Sequence, residues 1–104
     1  RYYWHSSASR DGQWIVSDTN WPQEGLFLFH VPSRTVSYVC DPRSSCSHPQ
    51  WTHPHPSLSP QQHFVLFNSD LTGIAQVYLA ELTDEFLAQA SSGYLCKPRD
   101  IAEI

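Results

Sequence analysis

HSSASRDGQWIVSD (residues 5–18) and HPSLSPQQHFVLFN (residues 55–68) are two versions of one pattern, and the second lies 50 residues after the first. His5 matches His55, Trp14 matches Phe64, and Asp18 matches Asn68. After a slip of one residue, GLFLFHV (25–31) aligns with QVYLAEL (76–82). A self-match in which polar, apolar and turn positions stay in step over this length indicates an internal structural repeat.

Each copy of the repeat predicts short β-strands separated by turns. Runs such as QWIVSD alternate apolar and polar residues and are rich in β-formers, and RDG is typical of a tight turn. The predicted strands are 5–9, 13–18, 26–31 and 35–41 in the first copy and 55–59, 64–69 and 76–82 in the second. A fourth strand is not evident in the second copy, where TDEFLAQASSG (83–93) instead predicts a short helix capped by Thr83.

Periods of about 40–50 residues with four short strands each are typical of propeller blades. The fold class predicted is therefore all-β: a partial β-propeller of about two four-stranded antiparallel blades with a short C-terminal helix. The two blades occupy residues 1–82, at about 5–41 and 55–82, with the loop 42–54 between them, and 83–104 is a helical C-terminal extension. Two blades cannot close a ring. We therefore expect a piece of a longer propeller, an interpretation that the absence of methionine favours over assembly from copies.

The segment HPQWTHPHPSLSP (48–60) predicts a metal site together with the first strand. His5 and His55 hold equivalent repeat positions on strands expected to line the central channel. His53 lies two residues before His55, and residues two apart on a strand share a face. Gln50 lies in the entering loop, and the flanking prolines reduce the entropy lost on ordering it. We therefore predict His5, Gln50, His53 and His55 as ligands.

Three imidazoles and an amide oxygen suit Mn²⁺, Fe²⁺, Ni²⁺ or Zn²⁺. The lack of a thiolate argues against a structural zinc, which normally uses cysteine. The alternative is that histidines flanked by prolines merely cap turns, and His30, His48 and His63 are assigned no more specific role than that. The carboxylates of Asp11, Asp18 and Asp70 fall at predicted turns and are assigned no role.

Charge and cysteine content limit the partners. The net charge of −4 argues against nucleic acid, which requires a basic face. No apolar run approaches the roughly 18 residues needed to cross a bilayer, so no membrane partner is expected. Cys40 and Cys46 could form a bridge or remain thiols alongside Cys96. Three thiols are compatible with a reducing compartment, and we expect a cytoplasmic protein, with the periplasm as the alternative.

HPQWTHPHPSLSP followed by FVLFNSDLTGIAQVYLAEL resembles the C-terminal blades of oligogalacturonate lyases, which form a pectate-lyase family built on a seven-bladed propeller. The resemblance covers about residues 2–82, and its most specific part is the Q-x-x-H-x-H spacing of Gln50, His53 and His55. With His5, it implies Mn²⁺ as cofactor, an acidic oligosaccharide (oligogalacturonate) as substrate, and β-elimination as the reaction.

The resemblance also implies what this chain lacks. The family's proton-abstracting histidine and its helping arginine lie in earlier blades, and Arg1, Arg10 and Arg43 cannot be matched to them. We therefore expect the isolated chain to be inactive and to need the remaining blades. Two alternatives stay open: a non-enzymatic TolB-like module that binds protein or glycan, and a metal-dependent enzyme or sensor of another specificity.

Overall fold

The computed structural model describes residues 3–19, 24–46 and 52–92, which form two antiparallel sheets and one helix. The first sheet consists of β1 (Ser6–Ala8), β2 (Trp14–Asp18), β3 (Leu26–His30) and β4 (Thr35–Cys40), in that order. The second consists of β5 (Ser57–Leu58), β6 (Phe64–Ser69) and β7 (Gln76–Glu81), and helix α1 (Asp84–Ser92) follows. The predicted mostly β fold with one C-terminal helix is confirmed. The predictions for residues 1–2, 20–23, 47–51 and 93–104 lie outside the described residues.

The first two strands of each sheet pair with the same register, residue for residue, after a shift of 50 positions. Ser7 lies opposite Val16 in the first sheet, and Ser57 lies opposite Leu66 in the second. The predicted turns agree as well, because Ser9 N donates to Trp14 O at 2.8 Å and Ser59 N donates to Phe64 O at 2.9 Å. Residues that are 50 apart in the sequence therefore occupy equivalent positions in two hydrogen-bonded hairpins.

The core lies between the facing sides of the two sheets. Trp14, Val16, Leu26 and Leu28 from the first sheet pack with Val65 and Phe67 from the second. Burying each of these large apolar side chains contributes about 1.5–3 kcal/mol. The packing also places β5 against β1 and β2, which brings together the segments that precede the two first strands.

Helix α1 takes the place in the chain where the second sheet would have a fourth strand. Thr83 Oγ1 accepts a hydrogen bond from Phe86 N at 3.0 Å, which confirms the predicted cap. The helix packs against β3 and β4 of the first sheet, where Thr35 Oγ1 donates to Ala90 O at 2.7 Å. Its buried side, centred on Ala90, therefore closes one end of the core.

The outer faces of both sheets carry apolar side chains that are not fully covered. Val77 and Leu79 on β7 are 67% and 61% exposed. On the first sheet, Ile15, Phe29 and Val36 contribute to the wall of a concavity of about 450 Å³. Sheets normally bury such faces against another layer.

Cys40 and Cys46 are free thiols, so the bridge considered for them is absent from the described residues. Burial, and to a lesser degree the charge of Asp41, raises the pKa of Cys40 to about 11. This thiol is therefore protonated at neutral pH and is a poor metal ligand. Cys96 lies outside the described residues. In the described ranges no helix is long and apolar enough to cross a membrane.

Candidate metal centre

Three histidines from distant parts of the sequence meet where β1 and β5 begin. His5 directly precedes β1, and His53 and His55 lie in the segment leading to β5. One nitrogen from each ring can be chosen so that all three lie within 4.8 Å of one another. An ion that bonds nitrogen at about 2.0–2.1 Å holds two such atoms no more than about 4.2 Å apart. The rings are therefore close enough to share an ion after a small adjustment.

The rings approach each other unequally. The ring centroids of His5 and His55 are 3.6 Å apart and those of His5 and His53 are 5.8 Å apart. The centroids of His53 and His55 are 6.4 Å apart. The close stacking of His5 on His55 disfavours a positive charge on His55, because two stacked imidazolium ions would repel.

His53 is the buried member of the group, with 6% of its surface exposed. Its Nε2 lies 3.2 Å from Cys46 O, and because a carbonyl oxygen only accepts, Nε2 carries the hydrogen. The other nitrogen, Nδ1, is buried and has no hydrogen-bond partner among the described residues. A buried lone pair without a donor costs free energy, so Nδ1 is an unsatisfied acceptor of the kind that a cation can bind.

His5 is held in the complementary tautomer. Its Nδ1 lies 2.9 Å from Asp18 Oδ2 and donates to it. The lone pair therefore lies on Nε2, the nitrogen that remains to bind an ion. A metal-ligating histidine commonly donates its other ring N–H to a carboxylate or a carbonyl in this way, and His53 and His5 show one case of each.

His55 is exposed and has a lowered pKa. Partial burial of the ring is the largest cause, the adjacent His5 also lowers the pKa, and the Asp18 carboxylate opposes the shift. A lowered pKa favours the neutral imidazole, which is the form that binds a metal.

The strand argument for the histidines is wrong, although the rings do converge. β5 begins only at Ser57, and His55 has a left-handed φ of 44°. The equivalent ladder bond has shifted by one residue: Asp18 N donates to His5 O at 3.2 Å, whereas Asn68 N donates to Pro54 O at 2.8 Å. Strand alternation therefore does not explain why His53 and His55 lie close together, since both residues precede β5 and His55 has a left-handed backbone conformation.

Asp18 is the residue that sequence reasoning missed. It ends the predicted strand 13–18 and receives no role from its sequence context, whereas the structure shows it 1% exposed at the end of β2 and hydrogen-bonded to both histidine segments. The available signal was the repeat itself, in which Asp18 and Asn68 keep a polar residue at the end of an otherwise apolar strand.

Among the four predicted ligands, the structure brings His5, His53 and His55 together. Gln50 lies outside the described residues. Neutral imidazoles in this number suit a first-row divalent transition metal. That they bind one stays a prediction.

The chain is similar to part of a crystal structure of oligogalacturonate lyase from Vibrio parahaemolyticus, with 27% sequence identity and a TM-score of 0.71. The match covers 83% of this chain and 25% of that chain, so this chain spans about a quarter of that protein's length. The structural resemblance predicted from the sequence is thereby confirmed.

A second similar structure is that of a putative TolB from Agrobacterium tumefaciens, with 20% identity and a TM-score of 0.54. That match covers 81% of this chain and 31% of that chain, and it shows a shared fold alone. No protein-family model and no curated protein sequence matches this chain.

Proposed function

We propose that this chain is the metal-holding portion of an oligogalacturonate lyase-like propeller, which cleaves oligogalacturonides by metal-assisted β-elimination. One observation carries the proposal: His5, His53 and His55 converge on a fold similar to part of an oligogalacturonate lyase. The rival interpretation, a TolB-like module without enzymatic activity, has only the likeness of the fold behind it.

Two hydrogen bonds support a particular nitrogen of His5 and of His53 as the proposed ligand. His5 would bind through Nε2, because Asp18 occupies its Nδ1, and His53 would bind through Nδ1, because Cys46 O occupies its Nε2. His55 would complete the set of three imidazoles, and Gln50 remains the proposed fourth ligand. We assign Mn²⁺ to the site, with Fe²⁺, Ni²⁺ and Zn²⁺ as alternatives that the same ligands accept.

A bound divalent cation stabilises the negative charge that accumulates on a uronate carboxylate when the adjacent C–H proton is removed. The residues of this chain contribute by holding their lone pairs toward one point, which Asp18 and the Cys46 carbonyl accomplish by fixing the N–H positions. We assign no proton-abstracting base within this chain. The base and an arginine that binds the acidic substrate are proposed to come from the remaining blades.

Oligogalacturonate cleavage tests the proposal. A complete protein that carries this chain is expected to release unsaturated product, seen as a rise in ultraviolet absorbance. Chelation should abolish the reaction and Mn²⁺ should restore it. The 104-residue chain alone should bind Mn²⁺ without cleaving.

The same measurements separate the two interpretations. A complete protein that purifies without stoichiometric metal and leaves oligogalacturonate intact contradicts the proposal and favours the binding module. Cleavage that persists unchanged in a chelator contradicts the role of the metal.

Metal binding is expected to weaken as the pH falls. A ligating imidazole must be neutral, so protons compete with the ion below the histidine pKa, which is about 6.5 in an unperturbed side chain. The lowered pKa of His55 delays this competition at that ring. The affinity for Mn²⁺ should be nearly constant above about pH 7 and fall about tenfold per pH unit for each imidazole that protonates.

Titration of the 104-residue chain with Mn²⁺ between pH 5 and 8 measures this dependence. The His63→Ala variant, which alters an exposed histidine outside the group, is the control and should follow the wild-type curve. An affinity that is equal at both ends of the range excludes histidine ligation.

A further inference from the structure

We infer that Asp18 is the positioning residue of the histidine group: it sets which nitrogen of His5 faces the ion and ties the His5 and His55 segments to one anchor. The inference rests on the proposed metal site, and it concerns a residue that would not touch the ion.

The carboxylate of Asp18 accepts three hydrogen bonds. Oδ1 accepts from His5 N at 3.0 Å, and Oδ2 accepts from His5 Nδ1 at 2.9 Å and from His55 N at 3.1 Å. The donors lie 13 and 37 residues away in the sequence, on segments that enter different sheets. One side chain thus fixes a ring and the backbone of both segments.

The chemistry of the side chain explains why it has to be a carboxylate. An ionised carboxylate only accepts, so it forces the hydrogen of His5 onto Nδ1 and leaves the lone pair on Nε2. An asparagine would offer one accepting oxygen to three donors. Its amide N–H group would face at least one of the N–H donors that now bind the carboxylate. Asparagine therefore matches the shape of Asp18 but not its hydrogen bonds.

The burial of this charge also points to a cation. Asp18 is 1% exposed, and the donors that surround it are two backbone amides and an imidazole, with no lysine or arginine ion pair among the described residues. Burying a carboxylate is costly unless an opposite charge compensates it. A divalent ion bound to His5 would supply that charge through the ring, and the carboxylate would in turn make His5 a stronger ligand.

The second sheet uses the equivalent residue with the opposite polarity. Asn68 Nδ2 makes a long contact of 3.5 Å with His53 O, and Asn68 N donates to Pro54 O at 2.8 Å. The amide donates because its neighbour is a carbonyl, whereas Asp18 accepts because its neighbours are N–H groups. The same repeat position therefore supports a histidine segment in each sheet. It is a carboxylate where the neighbouring groups are donors and an amide where the neighbouring group is an acceptor.

The test compares Asp18→Asn with Asp11→Asn in the 104-residue chain. Asp11 accepts hydrogen bonds in the β1–β2 turn, at the far end of that hairpin, so its variant makes the same charge change away from the group of His5, His53 and His55. Asp18→Asn should lower the Mn²⁺ affinity about 10–100-fold, the usual effect of losing a partner of a ligating histidine. Asp11→Asn should change the affinity less than about twofold, because exposed charges act weakly at this range.

Nitrogen-15 NMR of the histidine rings in the metal-free chain gives a second measurement, independent of metal binding. In the wild type, His5 should show the tautomer with hydrogen on Nδ1, and in Asp18→Asn that preference should disappear while His53 keeps its own. A merely structural role would leave the tautomer of His5 unchanged in the folded variant. If Asp18→Asn does not fold, the wild-type spectrum still tests the inference, because hydrogen on Nε2 of His5 would overturn it.

Three outcomes are decisive. A wild-type His5 with its hydrogen on Nε2 overturns the inference, as does an Asp18→Asn variant with unchanged Mn²⁺ affinity. A wild-type chain that shows the expected tautomer but binds no Mn²⁺ contradicts the proposed function, while the tautomer control by Asp18 stands.

Discussion

Replacing His53 with alanine is expected to lower the affinity of the chain for Mn²⁺ by more than about 100-fold, beyond the range for partners that only orient a ligand. The reason is the position of this ring. It is 6% exposed, its Nε2 is held by Cys46 O, and its Nδ1 has no partner in the described residues. Alanine offers no nitrogen in place of the one that is lost.

Calorimetric titration of the 104-residue chain measures the effect, with His63→Ala as the matched control. His63 is exposed, and its hydrogen bonds among the described residues are made by its backbone: its N–H donates to Ser59 Oγ at 3.1 Å and its carbonyl accepts from Leu82 N at 2.7 Å. The control should bind Mn²⁺ like the wild type, and His5→Ala and His55→Ala should weaken binding as His53→Ala does. Wild-type affinity in His53→Ala would remove the basis of the metal site.

The sheets could be predicted from the sequence because their information is local. Alternation of apolar and polar residues selects the strand face, and the turn residues Ser9 and Ser59 bond in the same way to close both hairpins. Thr83 likewise marked the start of α1, since a cap acts within three residues. Signals of this range do not depend on what the rest of the chain does.

The detailed geometry of the metal centre could not be predicted because it depends on contacts between the sheets. A left-handed φ is unusual for a residue other than glycine, and the sequence Pro54-His55-Pro56 does not predict the one found at His55. In this conformation His55 N donates a hydrogen bond to Asp18, which lies 37 residues earlier. For the same reason the role of Asp18 depends on partners that are distant in the sequence and could not be predicted from its neighbours.

The helix shows the limit of the repeat. The period alone favours a fourth strand after β7, whereas the residues themselves favour a helix, and the structure follows the residues. Asp84 and Glu85 stabilise the first turn, and Ala90 is small enough to be fully buried against the first sheet. Local propensity and packing together therefore override the repeat at this point.

The packing between the sheets holds the histidines together, and Leu28 tests it. Its side chain is 1% exposed and lies in the cluster that joins the first sheet to Val65 and Phe67. Leu28→Ala is expected to lower the free energy of unfolding by about 2–5 kcal/mol, since it removes buried methyl groups and leaves a cavity. That loss is a large part of the roughly 5–15 kcal/mol that stabilises a small domain. Urea denaturation followed by tryptophan fluorescence measures it.

Leu79→Ala is the matched control, because it deletes the same atoms from a side chain that is 61% exposed on β7. In the 104-residue chain its effect should stay within about 0.5 kcal/mol, as is usual for surface positions. Equal losses for the two variants would mean that the sheets do not pack as described. In a complete propeller the face that carries Leu79 would be covered by another blade, so there the same substitution should become costly. If Leu79→Ala is neutral in the 104-residue chain but destabilises a complete protein, the neighbouring blade packs on the outer face of β7.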